Sequence, residues 1–205
     1  MTIPRIQGHN GDLGELIQSH FPAGHRGYCL DVGASDGVTV SSTFLLEKKY
    51  NWTVLCVEPN PSFLERLTKH RVWIETSACA EQSGDFVPFH VHLDNEECFS
   101  GLRVIGHPRM HAQDGAPWRE IRVPVTTVDL LMAKCQFPRL DCLCVDTEGT
   151  ELDVLKGCDF ARWKPKILVV ESWDEVGPCD VYLTGLGYQK IGRTIDNYIW
   201  KRRNR

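Results

Sequence analysis

Short apolar runs rich in β-branched residues alternate along the chain with stretches that have helical spacing. The clearest runs lie at 28–33, 53–58, 140–146 and 167–171, and a helical stretch follows each of them. Alternation of this kind is typical of βαβ units, in which a helix returns the chain to the next parallel strand. We therefore expect an α/β fold with a mostly parallel seven-stranded sheet and helices on both faces.

Less regular segments complete the predicted order of elements. Helices are predicted at 11–20, 37–49, from Pro61 onward, from a Thr127 cap to Lys134, at 150–156 and near 179–186. Further strands are predicted near 72–78, 85–91, 188–192 and 197–201. Residues 94–120 mix Gly, Pro, His and charged side chains without a period, over a stretch longer than an ordinary connection. We expect this segment to form a substrate lid, and residues 1–27 to form a helical lead-in.

The composition restricts the class of protein. A chain of 205 residues fits a single domain over 1–205. With 23 basic and 27 acidic side chains the net charge is −4, which does not favour a nucleic-acid partner. No apolar run reaches the length of a membrane span, and the N-terminus lacks the pattern of a secretory signal. We expect a cytoplasmic protein that has no membrane partner.

The cysteines predict a reducing environment. There are nine, an odd number, and Cys29, Cys56, Cys142 and Cys144 fall inside apolar strand-like runs, where a thiol behaves as a small hydrophobic group. No Cys-x-x-Cys pair occurs. We therefore expect buried reduced thiols, and neither a disulfide framework nor a zinc site.

A glycine-containing turn follows the first predicted strand. Its sequence is Asp-Val-Gly-Ala-Ser-Asp-Gly over 31–37. Glycines at such a turn let a ligand approach the backbone, as in Rossmann-like nucleotide sites. The middle glycine of a dinucleotide fingerprint is missing, and the acid Asp31 precedes the turn, which suits a cationic ligand that lacks phosphate. A bare strand-to-helix turn is the alternative interpretation.

A second acid stands at the end of the second predicted strand. Glu58 lies 21 residues beyond Gly37 and is followed by Pro59. An acid near this spacing can accept hydrogen bonds from both ribose hydroxyls of a bound nucleoside. An exposed carboxylate at a strand end is the alternative.

A third group of motifs is more specific. Thr127-Val-Asp129-Leu precedes a helix, and Asp146-Thr-Glu-Gly-Thr-Glu151 follows the fourth strand. Together with the Asp-x-Gly-Ala turn and the Glu-Pro pair, these elements resemble the FkbM family of methyltransferases over about 29–188. Many members have Lys two residues before the Asp of the last motif, whereas this chain has Cys144.

The resemblance implies a class I methyltransferase fold with S-adenosylmethionine as the cofactor. It implies that residues 77–79 lie against the adenine, for which packing at a strand end is the alternative. The predicted cofactor-binding residues are Asp31, Gly33, Ala34, Ser35, Asp36, Gly37, Glu58, Pro59, Ser77, Ala78, Cys79 and Asp146. The predicted catalytic residues are Asp146 and Glu148, at the sheet edge where ligands bind in open α/β folds. For Glu151 we expect only a helix N-terminal charge.

Two pairs of histidines have spacings that could bind a metal or supply a base. His107 and His111 are four residues apart, and His90 and His92 share one face of a predicted strand. Pro108 interrupts the first pair, so we expect surface or substrate-loop histidines and predict no metal ligand.

The function that these patterns predict is methyl transfer from S-adenosylmethionine to a small-molecule acceptor. The family resemblance favours a hydroxyl of a sugar or secondary metabolite. N-methylation of a small molecule or peptide and a non-catalytic cofactor-binding module remain as alternatives. A dinucleotide-dependent oxidoreductase is disfavoured because the glycine spacing differs.

Overall fold

A computed structural model describes residues 11–39, 41–93, 100–102 and 118–203. The helices are α1 (Gly11–Ser19), α2 (Phe44–Tyr50), α3 (Pro61–His70), α4 (Val128–Cys135), α5 (Glu151–Lys156) and α6 (Pro178–Gly185). The strands are β1 (Tyr28–Val32), β2 (Thr53–Val57), β3 (Trp73–Glu75), β4 (Ala78–Cys79), β5 (Gly84–His92), β6 (Trp118–Thr126), β7 (Cys142–Val145), β8 (Ile167–Glu171), β9 (Tyr188–Arg193) and β10 (Asn197–Arg202).

Seven of these strands form the main sheet, in the order β3-β2-β1-β7-β8-β10-β9. The pairs from β3 to β8 are parallel, whereas β10 runs antiparallel to both of its neighbours. The predicted α/β fold with a mostly parallel seven-stranded sheet is therefore confirmed. The strands β7 and β8 are buried along their whole length, as parallel strands covered on both faces must be.

Helices cover both faces of this sheet. In β1, Leu30 and Val32 belong to one apolar cluster, which includes residues of α4, α5 and α6. Cys29 points to the opposite cluster, which includes residues of α1, α2 and α3. Since burying one large aliphatic side chain contributes about 1.5–3 kcal/mol, these two layers supply the main stabilisation of the fold. No helix in the described ranges is long and apolar enough to cross a bilayer.

A second sheet, which the sequence did not predict, has the order β4-β6-β5. The strand predicted at 85–91 belongs to this sheet and not to the main one, and the strand predicted near 72–78 is divided between β3 and β4. Strand β6 was missed altogether, because only Val123 of its side chains is buried and an apolar alternation is therefore weak. Its residues 118–120 were assigned to the substrate lid. In the rest of the predicted lid, residues 94–99 and 103–117 lie outside the described residues. Gly101 forms a backbone bridge with His90 of β5.

The helix predicted at 37–49 begins only at Phe44. The Asp36 carboxylate accepts hydrogen bonds from the backbone N–H groups of Val38 and Thr39, at 2.9 and 2.8 Å. The Ser41 hydroxyl accepts the N–H of Phe44 at 3.0 Å. Side-chain bonds of this kind compete with helical hydrogen bonds, so residues 37–39 and 41–43 lie outside the helix.

Two predicted helix starts are confirmed. Pro61 is the first residue of α3, and the side chain of Asn60 caps this helix by accepting the N–H of Ser62 at 3.0 Å. Thr127 caps α4 by accepting the N–H of Leu130 at 3.2 Å. Both caps satisfy backbone donors that have no partner inside the helix.

Gly33 marks the closest approach of the two central strands. Its φ is +85°, and a Cβ atom at this position would lie 1.6 Å from the carbonyl oxygen of Asp146. Only glycine fits there, because a side chain would have to displace the backbone that follows β7. The turn that the sequence assigned to ligand approach is thus also a requirement of strand packing.

We expect Gly33→Ala to lower the free energy of unfolding by at least about 3 kcal/mol, or to prevent folding, because it adds overpacking to backbone strain. Gly24→Ala is the matched control: Gly24 also has a positive φ, +75°, but nothing lies within 4 Å of a Cβ there. The control should lose only about 1–2 kcal/mol. Urea unfolding measures both, and equal losses would show that the approach to Asp146 carries no energetic weight.

Candidate functional site

The strand order of the main sheet reverses between β1 and β7. The strands β2 and β3 lie on one side of β1, and the strands β8, β10 and β9 lie on the far side of β7. In open α/β sheets ligands bind at such a switch point, outside the carboxyl ends of the strands. A cleft lies at this point, and its volume is about 360 Å³ when the space that is open to solvent is included. It is lined by Asp31, Gly33, Ala34, Ser35, Ser41, Ser42, Cys144, Val145, Asp146, Val169 and Asn197.

Glu58 holds the glycine turn in position. It is buried, and its Oε2 accepts the backbone N–H of Ser35 at 2.8 Å, while its Oε1 accepts that of Asn60 at 2.8 Å. Burial raises the pKa of Glu58 to about 7, although these two N–H groups act to lower it. The alternative of an exposed carboxylate at this position is therefore wrong.

Asp31 is held by a buried polar network that the sequence did not predict. Its Oδ2 accepts the Thr43 hydroxyl at 2.5 Å and lies 3.9 Å from the Arg71 guanidinium. Arg71, whose side chain is fully buried, also donates to the carbonyl of Gly37 at 3.0 Å and lies 3.0 Å from Glu47. Burial raises the pKa of Asp31, whereas Arg71 and Thr43 oppose that rise.

Cys144, which stands where many family members have Lys, lies directly beside the polar network around Asp31. Cys144 pairs in register with Asp31 across β7 and β1, and its thiol lies among the buried thiols of Cys29 and Cys142. The hydrogen bond with Cys142 acts to lower the pKa of the Cys144 thiol, but the hydrogen bond with Cys29 and burial keep it well above its usual range, so the group is neutral. A lysine at this position would bring a cation next to Asp31. In this chain Arg71, from the end of α3, brings the cation instead.

The turn after β7 is built by Glu151. One of its oxygens, Oε1, accepts the backbone N–H groups of Thr147 at 3.0 Å and of Gly149 at 2.9 Å. Glu148 and Gly149 both have positive φ, +56° and +99°, and these bonds hold them in this conformation. The structural role expected for Glu151 agrees with this geometry, although the carboxylate does more than place charge at the start of α5.

Three carboxyl groups converge beside this turn. Asp146, Glu148 and Glu171 each bring one oxygen within 4.8 Å of the other two. Burial and the surrounding acids raise the pKa of all three, to about 7 for Asp146, about 9 for Glu148 and about 12 for Glu171. Like charges this close in a buried setting cannot all be ionised without a counter-charge.

Not every predicted site residue reaches the cleft. Asp31, Gly33, Ala34, Ser35 and Asp146 line it, and Glu58 lies behind the turn. The other predicted residues, which do not line this cleft, are Asp36, Gly37, Pro59, Ser77, Ala78, Cys79 and Glu148.

The segment 77–79, which the family resemblance places against the adenine, contains a short strand. Ala78 and Cys79 form β4, and their side chains are buried in two different apolar clusters. The Ser77 hydroxyl donates to Glu75 at 2.7 Å. Contact with an adenine stays a prediction there, and it would have to use backbone atoms, since the side chains of Ala78 and Cys79 point into the protein.

His90 and His92 do not line this cleft. His92 is buried and its ring packs edge-on against Trp118, with centroids 4.7 Å apart. His90 makes the backbone bridge to Gly101. His107 and His111 lie outside the described residues.

Glu171 and Arg71 are the main residues that sequence reasoning missed. Glu171 had a signal, because it ends the apolar run 167–171 as Glu58 ends the run 53–58, and both runs are central strands. Arg71 had no such signal. In the sequence it only follows helix α3, and the packing of this helix brings its guanidinium to Asp31.

The strand order and the cleft at its switch point define a Rossmann-like α/β domain with a nucleotide-type site. The Methyltransferase FkbM domain family matches residues 31–190, and the chain belongs to this family. The recognition made from the four motifs is thereby confirmed, as is the methyltransferase-type fold.

A solved structure shows the same fold. The methyltransferase FkbM from Methylobacillus flagellatus KT superposes with a TM-score of 0.55 and 15% identity, over 86% of this chain and 43% of that one. This chain thus spans less than half the length of that protein. The precorrin-6y C5,15-methyltransferase from Geobacter metallireducens GS-15 has a TM-score of 0.46 and 12% identity, over 92% and 86% of the two chains. A search of curated proteins finds no match.

Removal of the Arg71 guanidinium should destabilise the folded protein. We expect Arg71→Met to lower the free energy of unfolding by about 3–5 kcal/mol, because it leaves Asp31 buried without its counter-charge. Lys69→Met, on the exposed side of the same helix, removes a charge from a surface pair with Glu65 and should cost at most about 1 kcal/mol. Chemical denaturation tests both variants, and a loss for Arg71→Met as small as that of the control would show that the network is not stabilising.

Glu58 should make stability depend on pH in a defined direction. Its pKa is about 7 in the folded protein against 4.5 as the ordinary value, so between these pH values the folded state holds more protons than the unfolded state. The free energy of unfolding therefore falls as pH rises through this window, by up to about 3 kcal/mol from this group. Glu58→Gln should lose the part of this dependence that Glu58 supplies, and Glu65→Gln, at an exposed site, should keep the full dependence of the wild type. Parallel pH curves for wild type and Glu58→Gln would contradict the assignment.

Proposed function

We propose that this chain is an S-adenosylmethionine-dependent methyltransferase that acts on a hydroxyl group of a small molecule. The observation that carries the proposal is the arrangement at the switch point. A glycine turn, a buried acid behind it and a set of carboxylates converge within the domain of an FkbM-family chain.

Glu58 fits the ribose of such a cofactor. Each of its oxygens accepts one backbone N–H, and a carboxylate oxygen has two lone pairs, so each can accept one further hydrogen bond. A ribose has two neighbouring hydroxyl groups, and each can donate one hydrogen bond to one of these oxygens. The geometry therefore supports cofactor binding at Glu58 while the same group keeps the turn fixed.

The turn itself fits a ligand without phosphate. The residues that line the cleft around Gly33 are small, namely Ala34, Ser35, Ser41 and Ser42, and Asp31 and Asp146 supply acidic groups. A cleft with this charge suits an ammonium and a sulfonium better than a pyrophosphate. It favours S-adenosylmethionine over a dinucleotide.

S-adenosylmethionine would supply an electrophilic methyl carbon on a leaving sulfur. What the protein must add is alignment of the acceptor with that carbon and removal of the acceptor's proton. Asp146 lies where the cleft meets the carboxyl cluster, and Glu148 lies beside it. We assign the proton-accepting role to this pair, with Asp146 also in contact with the cofactor.

Cofactor binding can be tested without an acceptor. Calorimetric titration should show that the protein binds S-adenosylhomocysteine, and Glu58→Ala should weaken that binding by about 1–3 kcal/mol, because hydrogen-bonding groups are left unpaired. Glu65→Ala, at an exposed position of α3, is the control and should bind as wild type does. Binding of a nicotinamide dinucleotide in place of S-adenosylhomocysteine by folded protein would overturn the proposal.

Turnover tests the assignment of the carboxylates. Pools of hydroxylated sugars and secondary metabolites can be screened for transfer of a labelled methyl group, and the labelled atom distinguishes O- from N-methylation. With an acceptor in hand, Glu148→Gln should lower turnover by about 10²- to 10⁴-fold while cofactor affinity is largely kept. Glu175→Gln, an exposed change of the same charge, should leave turnover unchanged. Normal turnover in Glu148→Gln would remove this residue from the reaction.

A further inference from the structure

We propose that Asp146, Glu148 and Glu171 together bind a divalent cation of the Mg²⁺ or Mn²⁺ type on the acceptor side of the cleft. The inference rests on the proposed function for the role of the ion, but not for its site. The sequence predicted no metal ligands, and the convergence of the three side chains comes from the packing of β7 against β8.

The geometry of the cluster suits one ion. Asp146 and Glu148 follow β7, and Glu171 ends the neighbouring strand β8. Their three oxygens lie within 4.8 Å of one another, so some point between them is no more than about 2.8 Å from each, against roughly 2.0–2.1 Å for Mg²⁺–oxygen bonds and roughly 2.3–2.6 Å for Ca²⁺–oxygen bonds. A contraction of at most about 0.7 Å brings all three oxygens into coordination distance of Mg²⁺.

Glu171 supplies a second and independent observation. It is 4% exposed, and its Oε2 is buried without a hydrogen-bond partner among the described residues. A buried carboxylate oxygen is normally paired, because burial without a partner is costly. One oxygen of this group lies within 4.8 Å of the oxygens of Asp146 and Glu148, and the Glu171 and Asp146 carboxyl groups share a hydrogen bond, which requires a proton on one of them. A cation placed between the three would take the place of that proton.

The surrounding charge favours a cation over a further hydrogen-bond donor. Glu151 and Asp196 add to the negative field at Asp146 and Glu148. Within the described ranges, no ion pair connects Asp146 or Glu171 with a lysine or arginine. An all-carboxylate set of oxygens is the ligand type that hard divalent cations prefer.

The buried thiols of Cys29, Cys142 and Cys144 are the other cluster with metal-ligating atoms in the described chain. Hydrogen bonds among the thiols together with burial raise the pKa of each of them, and a metal would require the thiolates. They also pack within an apolar cluster of the sheet. The carboxylate cluster is therefore the better site.

At the proposed methyl-transfer site the ion would bind the acceptor oxygen. A hydroxyl on a divalent cation loses its proton more readily, and that proton can pass to the oxygen of Glu148 that does not hold the ion. The acceptor oxygen then forms its bond to the methyl carbon while the carbon–sulfur bond breaks and its electron pair goes to sulfur. Acceptors with a second oxygen next to the reacting hydroxyl would chelate the ion, which makes vicinal diols the substrate class that this site favours.

Mn²⁺ alone is the probe for the site. Electron paramagnetic resonance of Mn²⁺ titrated with the full chain, in the absence of cofactor, should show one bound ion per chain. Glu171→Gln should weaken this binding at least about tenfold. The control Glu175→Gln makes the same change of charge at an exposed position of the next segment and should bind Mn²⁺ as wild type does.

Stability separates a lost ligand from a damaged fold. Without metal, Glu171→Gln should unfold at the same temperature as wild type or higher, because it removes one of three crowded carboxyl groups. Adding Mn²⁺ should raise the unfolding temperature of wild type and not that of the variant. If Glu171→Gln does not fold, Asp146→Asn provides the same comparison.

The outcomes distinguish this site from the proposed function. Saturable Mn²⁺ binding that depends on Glu171 supports the site even if S-adenosylhomocysteine does not bind, in which case only the proposed function fails. Binding of S-adenosylhomocysteine without saturable Mn²⁺ binding, or Mn²⁺ binding unchanged in Glu171→Gln, overturns the metal site and leaves the methyltransferase proposal standing.

Discussion

The close approach of β1 and β7 at Gly33 is the constraint on which the rest of the structure depends. Because the Gly33 backbone packs against the carbonyl of Asp146, the turn after β1 and the turn after β7 meet at one edge of the sheet. The cleft lies between these turns, and Glu58 fixes one of them while Glu151 fixes the other. One contact between main-chain atoms therefore determines both the packing of the central strands and the position of the site.

The site carries an unusual balance of charge. On the face of α2 and α3, the acidic Asp31 is compensated by the fully buried Arg71, and the neutral Cys144 lies beside it. At the strand ends, Asp146, Glu148 and Glu171 lie together without such an arginine among the described residues. The first group carries its own counter-charge, because Arg71 lies beside Asp31. In the second group, burial and the neighbouring acids raise the pKa of all three carboxyl groups, so that they favour a bound proton or cation.

The fold could be predicted from the sequence wherever a segment has a buried face. Strands β1, β2, β7 and β8 are apolar over almost their whole length, and their pattern gave the main sheet. Strand β6 has a single buried side chain, Val123, and had no such pattern. The predicted start of α2 was also wrong. The side chains of Asp36 and Ser41 accept hydrogen bonds from nearby backbone N–H groups and so compete with the helix, and whether such bonds form depends on the local conformation more than on residue type.

By itself the sequence determined the α/β order, the glycine turn, the acid after β2 and the family, because each depends on residues close together in the chain. Only the tertiary structure decided that Arg71 neutralises Asp31 over 40 positions of sequence, and that Glu171 joins Asp146 and Glu148. These contacts arise from strand order and helix packing. The partner of a charged residue cannot be predicted from its position in the sequence, because the sheet determines which side chains lie at the same edge or on the same face.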